Sequence, residues 1–138
     1  MNRKILVLDI DGTLVNDKKE ITPKTKEKLM EMQKAGHVLM LATGRPTPGA
    51  ARFVKELKLD EYGGYLLSYN GGRIMNCKTK EVMYQKVLPK EVIPKLYAFA
   101  KTHKCGIITY EKDTVILGNG IDQYIDCLLY TSPSPRDS

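Results

Sequence analysis

The chain has 138 residues, 42% of them hydrophobic and 28% charged, with a formal net charge of +6. Those proportions describe one ordinary globular domain and exclude a disordered chain. No apolar run approaches the roughly 18 residues needed to span a bilayer, and the start MNRKILVLD lacks a secretory cleavage site, so a cytoplasmic location without membrane contact is expected.

The lysines are spread along the chain and alternate with glutamates, which predicts a solvated face rather than a nucleic-acid site. No obligate protein partner is expected. The excess positive charge suits phosphorylated substrates. Cys77, Cys105 and Cys127 are scattered without the spacing of a zinc site or a disulfide scaffold, and read as buried inert thiols.

Ile5 to Leu8 is too short for a helix and too apolar for a half-exposed strand. It reads as a central parallel strand buried on both faces, with Asp9 at its carboxyl end. Leu14 to Ile21 places a polar turn between apolar residues, as a small hairpin over the strand end would. Thr22 is a suitable N-cap and Pro23 a suitable first helical residue for a helix running to about Ala35. Leu29 and Met32 supply its apolar stripe, Ile21 a staple, and Gly36 its left-handed stop.

Val38 to Ala42 is a second buried strand, ending at Thr43, Gly44 and Arg45. His37 lies at the opposite end of that strand and reads as a surface residue rather than a catalytic base. A second helix, roughly Pro48 to Leu57, carries Ala51, Val54 and Leu57 on one side, and Tyr65 leads a third strand ending at Asn70. Strand, helix, strand, helix, strand at this spacing predicts right-handed crossovers and a parallel sheet with helices on both faces. Ligands of such sheets bind beyond the carboxyl ends of the strands, where Asp9, Asp11, Thr43, Arg45 and Asn70 all fall.

After Gly72 the pattern changes to a mixed α+β unit. RIMN and VMYQKV are expected to pair around CKTKE, Pro89 to His103 is mostly helical, and GIITY and TVILGN resemble further strands. Pro94 leaves the start of that helix open, because a proline beyond the first turn removes an amide hydrogen bond and clashes with the turn before it.

A carboxylate at the mouth of a buried strand is costly to desolvate unless a cation or hydrogen-bond donors compensate it. Two carboxylates so close need a metal or a proton. Gly12 permits a tight turn beside them, and Thr13 adds a hydroxyl and an amide.

DIDGT resembles the first motif of the haloacid dehalogenase superfamily, and ATGRP resembles the second motif in its Cof-type branch. SYNGG is similar to the stretch at which that branch enters its cap. The resemblance implies an α/β fold with a Rossmann-like parallel sheet core, present here in its N-terminal part only over 1–71, followed by an incomplete α+β cap over 72–126. It implies a magnesium-dependent phosphatase acting on a small phosphorylated metabolite such as a sugar phosphate, with a phosphomutase as the alternative. From outside the family, a receiver-like phosphoacceptor domain would also place strand-end aspartates around magnesium.

On the family pattern Asp9 is the nucleophile that becomes an aspartyl-phosphate. Asp11 is the general acid and base, a role that calls for a pKa lifted above its ordinary value of about 3.9. Magnesium (Mg2+) is held by an Asp9 oxygen and the Asp11 backbone carbonyl. Thr43 donates its hydroxyl to phosphate, and amides near Gly12, Thr13 and Gly44 add further donors. Arg45 either contacts substrate or forms a strand-end salt bridge, and Asn70 shapes the turn into the cap.

The family's downstream lysine and its GDxxND-like metal motif are not identifiable in this sequence. Cys127 to Asp137 resembles, residue for residue, the in-frame translation of a sequencing-library adapter, so 127–138 is expected to be a foreign tail on a fragment of a longer protein. Such a fragment is expected to be catalytically weak, with an apolar sheet edge uncovered.

Overall fold

The computed structural model describes residues 2–112, 114–118 and 135–137. The chain divides into two compact units, Met1–Lys86 and Val87–Ser138.

The first unit is built on one sheet in the order β1 (Ile5–Asp9), β2 (Val38–Ala42), β3 (Tyr65–Ser68), β4 (Arg73–Asn76) and β5 (Val82–Gln85). The first three strands are parallel, and β4 and β5 continue the sheet antiparallel. RIMN and VMYQ do pair around the CKTKE turn, as expected. Their sheet, however, is that of β3, so the first unit runs past residue 71 to Lys86.

Helix α1 spans Pro23–Lys34. Thr22 Oγ1 accepts from the amide of Thr25 at 3.4 Å, a cap of the kind that contributes about 1 kcal/mol. Gly36 takes a φ of 95° and ends the helix, the conformation in which a side chain would be strained. Helix α2 spans Thr47–Glu56, and a single turn, α3, covers Leu59–Tyr62.

The apolar stripe of α2 is Ala50, Phe53 and Val54, continued by Leu57, all buried. Ala51, expected on that side, is exposed, because the spacing i, i+3, i+4, i+7 from Ala50 turns it away from the sheet.

Leu39, Leu41 and Leu66 are fully buried and pack with Leu29 of α1, Phe53 of α2 and Leu59 of α3 into one core. In register these are alternate residues of neighbouring strands, so they share one face of the sheet. The described helices of this unit therefore gather on one face rather than on both. Among the described strands β1 lies at the edge of this sheet, with Ile5 62% and Val7 52% exposed, so within this segment it is not buried on both faces. Successive right-handed crossovers that always step the same way place every helix on the same side.

His37 sits at the amino-terminal end of β2, where its Nδ1 accepts from the amide of Lys4 at 3.2 Å, remote from the strand ends that carry the motifs. Cys77 is buried, and burial pushes its thiol up to about 11. Cys105 is exposed, against expectation. Cys127 lies outside the described residues.

In the second unit a short 3-10 turn at Lys90–Val92 leads into α4, Ile93–Thr102. Pro94 falls within the first turn of α4, where no helical amide bond is lost, and this fixes the start that the sequence left open. Strands β6 (Ile108–Glu111) and β7 (Thr114–Leu117) pair antiparallel, and β8 (Pro135–Asp137) pairs parallel with β7. β8 lies within the segment expected to be foreign. Among the described residues no helix is long and apolar enough to cross a membrane.

Candidate active site

The parallel register sets Asp9 opposite Ala42, the residue before Thr43. Both motif strands thus end at the same level. Beyond β1 the chain turns sharply: Leu14 N donates to the carbonyls of Asp9 (3.1 Å) and Ile10 (3.0 Å), and Val15 N donates to Ile10 at 3.1 Å. Gly12, at φ 81°, makes that turn possible. The Thr13 amide also donates inward to Ile10 O at 3.4 Å, so it is not freely presented to an anion as expected.

The ends of β2 and β3 are knitted together by backbone bonds. Thr43 N donates to Leu67 O at 2.9 Å, Asn70 N to Thr43 O at 3.1 Å, and Tyr69 N to Arg45 O at 3.0 Å. Thr43 is 5% exposed and its hydroxyl oxygen accepts from the amide of Arg45 at 3.1 Å. Its O–H proton is thereby directed away from the backbone and can serve an anion. Asn70 holds a left-handed φ of 53° in the turn after β3. A Cβ on Gly44 would lie 2.9 Å from Asn70 Oδ1, so a side chain there would have to displace the Asn70 amide.

Arg45 is buried and grips Asp11 with two donors, Nε to Oδ2 and Nη2 to Oδ1, each at 2.7 Å. Its third nitrogen, Nη1, donates to Gly49 O at 3.0 Å, and its guanidinium lies 5.2 Å from the centre of the Phe53 ring. A bidentate, charge-assisted pair of this kind is the strong form of the interaction. Of the two roles open for Arg45, this geometry is that of an ion pair with a catalytic-motif carboxylate.

Lys19 was not singled out by the sequence, where it reads as one charge in a polar turn. Its Nζ donates to Asp11 Oδ1 at 2.9 Å. The Arg45 hydrogen bond, aided by Lys19 and opposed by partial burial, lowers the Asp11 pKa to about 2. That is the reverse of the lifted value expected for a general acid. In this arrangement Asp11 is held as a carboxylate by its two cationic partners.

For a hard cation the Asp9 carboxylate and the Asp11 main-chain carbonyl are suitable oxygen donors. Both oxygens of the Asp11 side chain are taken by Arg45. Among the described residues no group of three or more His, Cys, Asp or Glu side chains gathers.

A family model described as haloacid dehalogenase-like hydrolase matches residues 6–135. The fold is similar to a crystal structure of a haloacid dehalogenase-like hydrolase from Bacteroides thetaiotaomicron, with a TM-score of 0.90 and 43% identity, covering 99% of this chain and 52% of that one. In sequence the chain is 37% identical over 94 residues to YxeH of Bacillus subtilis (strain 168), covering 68% of this chain and 35% of that protein. It is 31% identical over 88 residues to the pyridoxal phosphate phosphatase YbhA of Escherichia coli (strain K12), covering 60% and 32%. The chain thus spans about half the length of the solved relative and about a third of the curated ones.

Proposed function

Because the chain belongs to the haloacid dehalogenase-like hydrolase family, we propose that the protein carrying it is a magnesium-dependent phosphatase of small phosphorylated metabolites, with Asp9 as its nucleophile. The observation that carries this reading is the convergence, at one end of the sheet, of Asp9, the Arg45-clamped Asp11 and the buried Thr43 hydroxyl.

An Asp9 oxygen attacks phosphorus while the bond to the leaving alcohol breaks, giving an aspartyl-phosphate and splitting one difficult displacement into two. Thr43 donates its hydroxyl to a phosphoryl oxygen, where negative charge accumulates. For either proton transfer Asp11 must first loosen its bonds to Arg45 and Lys19: its pKa then rises, so that it can take up a proton from solvent for the leaving oxygen in the first step and accept one from the attacking water in the second. Magnesium, on an Asp9 oxygen and the Asp11 carbonyl, would supply positive charge to the phosphoryl group.

The pyridoxal phosphate phosphatase activity of the Escherichia coli relative supports hydrolysis over phosphoryl return to substrate, and makes pyridoxal phosphate the first substrate to assay. The test is hydrolysis of p-nitrophenyl phosphate with magnesium by a chain of the relatives' full length carrying this segment. Turnover that is abolished in Asp9→Asn is the expected result. Stable phosphorylation without turnover overturns the hydrolase reading.

A further inference from the structure

The charge count around Asp11 is uneven. Arg45 alone satisfies both carboxylate oxygens, through Nε on Oδ2 and Nη2 on Oδ1, yet Lys19 places a second cation on Oδ1 at 2.9 Å. The two cations are held very differently. Arg45 is buried, with all three guanidinium nitrogens engaged. The Lys19 ammonium bonds Asp11 Oδ1, and 37% of its side chain is exposed.

The backbone of Lys19, by contrast, is fixed. Its φ is 61°, a left-handed conformation unusual for lysine. Its amide donates to Asn16 O at 2.9 Å, and its carbonyl accepts from Arg52 Nη2 at 2.8 Å. Asn16 Oδ1 closes the same turn by accepting from the amides of Lys18 (2.9 Å) and Glu20 (3.1 Å). The turn is a rigid arm carrying a flexible ammonium to the mouth of the site. A phosphomonoester arrives with nearly two negative charges, at a site already holding the carboxylates of Asp9 and Asp11. Beyond the charge that magnesium would supply, a cation able to move onto the phosphoryl group would offset more of that repulsion.

We propose that Lys19 is that cation: its ammonium, held on Asp11 Oδ1, transfers to a phosphoryl oxygen of a phosphomonoester or orthophosphate, leaving Arg45 to hold Asp11 alone. This role deepens the phosphatase reading and rests on it. Lysine suits the role, because an ammonium on a four-carbon stem reorients without disturbing its backbone.

The test is calorimetric titration of orthophosphate into the 138-residue chain with magnesium present, for the parent, Lys19→Met, Lys19→Arg and Asp9→Asn. Losing one charge-assisted hydrogen bond predicts a Kd about tenfold to a hundredfold weaker in Lys19→Met. Lys19→Arg keeps most of the affinity. The unfolding midpoint of Lys19→Met stays near that of the parent, since a half-exposed ion pair contributes little to stability. Unchanged phosphate affinity in Lys19→Met makes the lysine a plain ion-pair partner and overturns the proposal, leaving the phosphatase reading intact. A parent chain that binds no orthophosphate overturns the lysine's role; binding that neither Asp9→Asn nor Lys19→Met alters lies away from the motif residues and counts against the phosphatase site and the lysine's role together.

Discussion

Arg45 closes on Asp11 across 34 positions of sequence, with both contacts at 2.7 Å. The pair joins the turn after β1 to the turn after β2, so one ion pair sets the relative position of the two motif loops. Asp11 is thereby held in its ionised form.

Removing the guanidinium should raise the Asp11 pKa. In Arg45→Ala the carboxyl titration, followed by carbon NMR, is expected to move from about 2 towards the ordinary 3.8. The sign for stability follows from linkage: a carboxyl lowered in the folded state stabilises above its unfolded pKa, and that contribution fades as pH falls through the folded value. The stability gap between parent and Arg45→Ala in urea should therefore be constant above about pH 5 and narrow as pH drops towards 2. Asp11 is 37% exposed, so this titrating part is small. A gap that widens on acidification contradicts the assignment.

Phe53 couples the core to the site. Its ring is fully buried, 4.3 Å from the Arg52 guanidinium carbon and 5.2 Å from that of Arg45. Phe53→Ala should cost about 3–5 kcal/mol in urea unfolding, from lost transfer energy and the cavity left behind. Phe53→Leu should cost clearly less, and the order of the two variants is the check.

Gly44 and Asn70 are predicted to be coupled. A methyl on residue 44 would stand 2.9 Å from Asn70 Oδ1 and 3.4 Å from its Cγ. Gly44→Ala should destabilise by about 1 kcal/mol or more through overpacking. Adding Asn70→Ala removes the obstruction, so the double variant should be more stable than the sum of the single effects in a denaturation cycle. Strict additivity contradicts the contact.

Thr43→Val should separate the hydroxyl from its shape. The change leaves the buried Arg45 amide without its acceptor, at a cost of about 1–3 kcal/mol in urea unfolding. It also removes the hydroxyl proposed to donate to phosphate, so on that proposal orthophosphate affinity should fall. Thr43→Ser should preserve both readouts.

The sequence by itself determined what local chemistry can encode. β1, β2 and the capped helix α1 were legible because an aliphatic run, a Thr-Pro start and a Gly stop each act within a few residues. Asp9, Asp11 and Thr43 were legible because their motifs sit at strand ends, and a parallel register brings such ends together. Tertiary structure alone decided that the helices of the first unit share one face, that β4 and β5 belong to the first sheet, and that Asp11 is ionised by Arg45 rather than raised towards neutrality. It also decided that Lys19, a lysine among many, meets Asp11. Periodicity reports which side of an element is apolar, whereas the pKa of a carboxylate depends on which charges stand within a few ångströms of it, and that neighbourhood exists only once distant segments have packed.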